Sequence, residues 1–445
     1  TPDATERAKA LLGLFDRAGA LLRWLTRSEH RRQGANRDTW DGLDQWGQPV
    51  PAGDYTVRAL WHPPLGLDYR QSLMNPGNPP WPTPDGRGDW LSDEAPPQAV
   101  ATDGDWVWLA APGCEKGFAT IALNGRGERQ WGVSEEFYPR CVSIALDGDD
   151  LFALYSGPEL TEPGNRYNGK NAAERAVLIC RDKRTGRPKR FSVEHPRLKI
   201  ASWPYVERTV GLWDLRTRAG FTPAVYGGQP RYFAEDIGEP AGAIGLAVTR
   251  GKVWVSRIDL GRLLAYDAQT AAPAGEIALP EPAGLCALPD GRLLAVSGTR
   301  VVRVDPATGA VEPIITTGLA APHSLCLDSR GRIFVSDWGN AFQVKVFSAD
   351  GRFERAVGRP GGRPWVGAWQ PDGMLVPRGI GVTRAGELWV AEDDTLPKRV
   401  SVWNADTGAF VRDYLGPTPY GGGTLFAVDP KDATRAYSSG LELKL

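Results

Sequence analysis

The sequence predicts an all-β fold: a seven-bladed β-propeller, with a six-bladed ring as the alternative, preceded by a small N-terminal β-sandwich. Three observations predict it. Gly 53 and Pro 37 make about a fifth of the 445 residues, a density of turn formers that suits many short strands. Seventeen Trp supply large anchors for a globular core. From Pro97 onward one unit recurs: Pro240 to Pro282 is 42 residues and Pro282 to Pro322 is 40.

Charge and cysteine content narrow the function classes. Lys+Arg is 52 and Asp+Glu is 53, a balance that argues against a sequence-independent nucleic-acid binder or a basic membrane-surface protein, both of which need a positive field. No apolar run reaches the roughly 18 residues that a bilayer span needs. The five Cys are odd in number, widely spaced and without a CxxC, which argues against a disulfide framework and a structural zinc site. The opening Thr1-Pro2-Asp3 lacks a Met, a basic region and an apolar stretch. Either a leader has been removed or the chain is part of something longer.

Residues 1–60 are expected to form the sandwich. The segment 11–24 reads as strand, Asp-Arg-Ala-Gly turn, strand. After it come Trp40-Asp41-Gly42, Gly47 and Gly53-Asp54-Tyr55. Gly42, Gly47 and Gly53 are expected to supply positive φ, and Trp40 and Tyr55 to fill a small core. These residues resemble the Ig-like domain of flagellar hook-capping proteins, which implies a spacer or assembly role. Residues 61–96 are Pro- and Trp-rich; Trp81 and Trp90 mark them as an ordered strap packed on the next domain.

Residues 97–445 carry the repeat. The copy at 322–358 shows strands at 324–328, 332–336, 343–347 and 352–357. Other copies begin near Pro97, Pro139, Pro240, Pro282 and Pro377, making six four-stranded units. A seventh at Tyr420 has three strands, 425–429, 435–438 and 441–445, and lacks a fourth. The strap is the expected donor of that strand, through "LDYRQSL", which would close the ring and remove its open edges. The units, best in 336–358 and 377–394, resemble NHL-repeat propellers. That resemblance implies the fold and leaves function open, since propeller relatives include interaction domains and lyases. The whole chain resembles secreted bacterial proteins that join an Ig-like module to such a propeller, which implies a secreted or cell-surface location.

In a four-stranded meander, the turns after strands one and three share one side and those after strands two and four share the other. The first set is short, as in Asp290-Gly291 and Asp350-Gly351. Three long insertions, 157–174, 196–240 and 359–376, fall in the second set. They bring Trp203, Trp213, Tyr226, Tyr232, Trp365 and Trp369 to one side. Arg140, His323 and Arg378 each follow a blade-opening Pro and are expected at the channel mouth there. Second strands end near Arg257, Asp259, Asp337, Trp338, Glu392, Asp393 and Asp394. Such a funnel suits an anionic or polyhydroxylated ligand; the alternative is that the Asp residues cap turns. One His with carboxylates can hold calcium or another divalent cation, or His323 can be structural. Cys286 and Cys326 occupy equivalent points of adjacent inner strands, as a redox or metal pair or as small packing residues. Asp147, Asp149 and Asp150 are a calcium loop or a solvated hairpin tip.

No P-loop, GxGxxG before a helix, HExxH or GxSxG occurs, while a spatial pair of catalytic carboxylates stays open. The leading expectation is a recognition protein that binds glycan, peptide or another extracellular protein on the insertion-bearing side, using Arg257, Asp259, Asp337, Trp338, Glu392, Asp393, Trp365 and Trp369. The alternatives are a metal-assisted lyase or hydrolase of an anionic polysaccharide and a structural subunit of an extracellular assembly. In the enzyme, Arg140 and Arg378 would neutralise substrate and His323 would act as base or metal ligand. The sequence leaves open whether the chain is an enzyme.

Overall fold

The repeat at 322–358 shows how local sequence makes a blade. Its strands are Pro322–Leu327, Ile333–Asp337, Gln343–Phe347 and Phe353–Val357, each antiparallel to the next. Asp328 ends the first strand. Its Oδ1 accepts the N–H groups of Arg330 (3.0 Å) and Arg332 (2.9 Å), while Gly331 turns the chain at φ +76. The second strand is buried along its whole length because it has a neighbouring blade on each face. The fourth, at the rim, begins on the exposed Phe353 and grades from exposed through half-buried to the buried Val357.

In this computed structural model the described residues are 7–32, 34–62, 68–72, 90–92, 95–111, 117–133, 140–158, 174–187, 189, 198–202, 225–226, 229–230, 243–258, 260–339, 341–363, 369–394, 398–416, 427–438 and 441–444. Every element among them is a β-strand. The chain divides into two units, residues 71–423 and residues 1–70 with 424–445.

Residues 71–423 form a β-propeller. Six four-stranded meanders have the first strands Ala99–Asp103, Arg140–Asp147, Ala243–Thr249, Pro282–Ala287, Pro322–Leu327 and Pro377–Val382. Each first strand packs on the next, and the sixth packs on the first, so the circuit closes. Each junction has its own hydrophobic cluster. Val142, Phe152 and Leu246 join blades two and three, for example, and Val107, Leu109, Trp389 and Val400 join blades six and one. Burying side chains of this size contributes about 1.5–3 kcal/mol each. The first strands approach so closely that a Cβ on Gly284 would lie 2.6 Å from His323 O. On the axis is a cavity of about 740 Å3, with Val100, Ile144, Leu246, Leu285, Leu325 and Ile380 from the six first strands in its wall.

The expected seventh unit falls outside the 71–423 compact unit. Ala427–Val428, Arg435–Ser438 and Leu441–Lys444 do form a sheet with a fourth strand from the strap, Asp68–Ser72, in the order that places the strap strand beside Leu441–Lys444. That sheet, however, groups with the N-terminal residues. The six ring blades are each built from four consecutive strands of their own, so terminal strands complete none of them. The third blade opens on Ala243, which pairs with Arg257 as Pro282 pairs with Ser297; Pro240 lies outside the described residues.

In the other unit, Arg7–Phe15 lies between Leu21–Arg32 and Thr56–His62 in a three-stranded antiparallel sheet. Asp16 and Gly19 turn the first hairpin, with Gly19 at φ +84. Trp40 packs edge-on against Tyr55 at 5.3 Å, and both are half-buried. Gly42 and Gly47 have φ of +78 and +77, whereas Gly53 does not adopt positive φ. Of the strap's tryptophans, Trp90 is buried and Trp81 lies outside the described residues.

Candidate functional site

The side of the ring where first strands begin and second strands end carries the segment 359–376 and a set of buried charges. Its anchor is Glu392, the last residue of the strand Glu387–Glu392. Four donors converge on its carboxylate: Arg363 Nε (3.2 Å) and the Leu375 N–H (2.9 Å) on one oxygen, Arg399 (2.9 Å) and Ser401 Oγ (3.0 Å) on the other. Arg399 faces Glu392 because the two are cross-strand partners. It also donates to Gly373 O and Pro371 O, each at 2.6 Å, and to Asp413 at 3.0 Å. Arg363 and Arg399 flank the Trp369 ring, each 5.2 Å from its centre. Burial lowers the Arg363 pKa from its ordinary value, and burial raises that of Asp413 despite the neighbouring Arg399. Residues 363 and 371–375 are thereby bolted onto blade six.

Asp393 follows directly. Arg378 donates to it at 2.6 Å and Gln98 Nε2 at 3.3 Å. Gln98 belongs to blade one, so this cluster spans the junction where the ring closes. In blade five, His323 stacks on Trp338 with ring centres 4.4 Å apart and planes at 11°, and its Nδ1 is 3.3 Å from Ser324 Oγ. Trp338 Nε1 donates to Pro377 O at 2.6 Å, tying blade five to blade six. Asp337 accepts the N–H groups of Ala320 and Ala321 and pairs with Lys345 at 2.7 Å. It thus caps a turn while standing at the repeat position of Glu392.

Several expected site residues come together: Arg378 with Asp393, His323 with Trp338, and Glu392 with Trp369 through two guanidiniums. Arg257 is buried in blade three, opposite Ala243. Arg140 opens a strand, but its side chain lies outside the described set, as do Asp259, Trp365, Trp203, Trp213 and Tyr232. Sequence reasoning missed Gln98, although it follows Pro97 just as His323 follows Pro322. It also missed Arg363 and Arg399. The Glu392–Arg399 pairing across one hairpin was the available signal for Arg399.

The carboxylates do not suit the divalent cation considered from sequence. Asp337, Glu392 and Asp393 already face cations and N–H donors, leaving few lone pairs directed at a common point. Among the described residues no group of three or more His, Cys, Asp and Glu is placed to hold a metal ion. Asp150 pairs with Lys189.

The axial cavity is a separate feature. Asp290, Asp328 and Ser329 of the short first turns line it, while His323 and Arg378 do not. The expected funnel mouth and the axial cavity are therefore different places. Cys286 and Cys326 lie in the cavity wall. Burial pushes the Cys286 thiol up to about 12 and raises Cys326 well above its ordinary value, so both stay protonated.

Among the described residues no helix is long and apolar enough to cross a membrane. No protein-family model and no curated protein matches the chain. Solved structures with similarity include virginiamycin B lyase from Staphylococcus aureus, in a catalytically inactive form with quinupristin: 10% identity, TM-score 0.40, covering 79% of this chain and 96% of that one. A nidogen/laminin complex chain is 9% identical with TM-score 0.40, covering 72% and 94%. Hydrazine synthase from Kuenenia stuttgartiensis is 14% identical with TM-score 0.32, and the match spans 48% of this chain and 58% of the synthase chain. The β-propeller rests on the closed circuit of six first strands and their six interblade clusters.

Proposed function

We propose that this chain is a secreted or cell-surface bacterial recognition protein. Its six-bladed, NHL-like propeller binds glycan, peptide or another extracellular protein on the side that carries the 359–376 segment. The N-terminal unit, an Ig-like module of the hook-capping type, acts as its spacer. One observation carries the reading: Glu392, Arg363 and Arg399 form a buried, mutually paired base that holds Trp369 half-exposed at the surface. A held aromatic ring is a low-entropy contact for a sugar face or an apolar side chain. The charges beneath it serve the fold, which favours recognition over acid–base chemistry.

The test is a glycan and peptide array probed with folded chain, followed by titration of the best ligand against Trp369→Ala. The variant should bind at least about tenfold more weakly, in line with loss of an aromatic anchor. Array signals at background from a sample with native circular dichroism, or an unchanged Kd in the variant, would sink the reading.

A further inference from the structure

The three-stranded sheet of the N-terminal unit treats its two edges differently. Outside Leu21–Arg32 the segment 38–45 folds back on it. The Gln45 N–H donates to Leu22 O at 3.0 Å, Arg23 to Asp41 at 2.9 Å, and Thr26 Oγ1 to Asp38 at 2.9 Å. Thr56–His62, at the other edge, pairs with Arg7–Phe15 through all seven residues without a register shift. All of it but His62 is exposed, and among the described residues no second strand pairs with it. An open, regular edge of this kind invites another strand. The propeller blunts its own edges: in all six blades the third and fourth strands pair with a register shift, and Pro313 interrupts the fourth strand of blade four. Thr56–His62 has no Pro, no Lys and no bulge.

The apolar face of the sheet is also unfinished at this strand. Ala10 is opposite Trp61, Leu12 opposite Ala59 and Leu14 opposite Val57, so these residues share one face. Ala10 and Leu14 are buried, whereas Val57 is 53% and Trp61 73% exposed. We propose that Thr56–His62 is a homodimerisation edge, pairing antiparallel with the same strand of a second copy about a two-fold axis at Ala59. An axis perpendicular to the sheet keeps both apolar faces on one side. Val57 then meets Trp61 of the second copy, at both ends of the interface, as a β-branched–aromatic pair. Arg58 meets Leu60, and the whole strand pairs. A shift of two residues one way sets Arg58 against Arg58, and a shift the other way takes Val57 out of the pairing. The strand is thus self-complementary in one register, the requirement of a two-fold interface and not of an unrelated partner. Two Trp side chains of roughly 150–250 Å2 each and the paired backbones lie at the small end of stable interfaces, about 1,200 Å2, so micromolar association is expected. A dimer presents two propellers, and a ligand that repeats along a polymer or surface is held by both. The pairing is independent of what that ligand is.

Sedimentation velocity of the full chain from about 1 to 200 μM should follow the change from one chain to two. Val57→Lys and Trp61→Glu should each weaken dimerisation at least about tenfold, because each sets a lone charge against an apolar side chain. Both positions are exposed, so native circular dichroism should accompany the loss. Combined in one chain, the two substitutions face each other with opposite charge at both ends of the interface. The double variant should dimerise at least about threefold more tightly than either single one. A chain that stays monomeric at the highest concentration, the result if this edge serves a strand of another protein, would overturn the proposal. So would single variants that dimerise like wild type, or a double variant no tighter than the weaker single one.

Discussion

Glu392→Gln keeps the side chain's size and removes its charge. In the wild type, two guanidiniums, a hydroxyl and a backbone N–H all donate to this carboxylate, which is fully buried. An amide has one acceptor oxygen and an NH2 group, so on one side of the site donors would face donors. Breaking a buried ion pair by removing one partner costs about 3–5 kcal/mol. Arg399 keeps Asp413 and two carbonyls, and Arg363 still feels Asp394, so the loss should fall near the lower end. A cost of about 3 kcal/mol shifts the folded-to-unfolded ratio by roughly two powers of ten. Urea unfolding followed by tryptophan fluorescence should show a lower midpoint at an unchanged slope. The Leu375 amide, which donates to Glu392, should lose exchange protection beyond the global change. A loss below about 1 kcal/mol, the size of a surface pair, with Leu375 still protected, would refute the account of Glu392 as the bolt of residues 363 and 371–375.

Two further outcomes are expected. Asp406 pairs with Arg332 at 2.6 Å and Arg330 at 2.9 Å, and hydrogen bonds from those guanidiniums hold its carboxyl below the ordinary value of 3.8. A depressed folded pKa contributes stability above the unfolded value and loses it as pH falls through the folded one. Asp406→Asn should therefore lower the urea midpoint at neutral pH and leave it unchanged near pH 2; equal effects at both would refute the linkage. Cys286 and Cys326, kept protonated by burial, should resist iodoacetamide at pH 8 in the native state and react on unfolding; peptide mass spectrometry showing native alkylation at a free-thiol rate would contradict this.

The candidate site was only partly legible in the sequence. His323 and Arg378 stood out because each follows a blade-opening Pro, a position the repeat itself marks. Gln98 occupies the same position but carries no charge to draw attention, and its partner Asp393 lies almost three hundred residues away in sequence. The roles were less legible than the places. Asp337 and Glu392 are repeat equivalents, yet one caps a turn and the other anchors an inserted segment. The difference comes from what the neighbouring chain brings: Ala320, Ala321 and Lys345 in one case, Arg363, Leu375 and Arg399 in the other.

By itself the sequence determined the strands and their turns. Apolar alternation sets which residues pair, and Asp-x-x-Gly turns such as Asp328 to Gly331 set where they reverse; both act over a few residues. It even marked Asp68–Ser72 as the strand that the C-terminal three lacked. Only the tertiary structure decided that this fourth strand completes a sheet with the C-terminal three and that the first strands at 99–103 and 377–382 pack on each other. Ring closure depends on how the faces of sheets far apart in the chain fit one another, and that complementarity has no local signature.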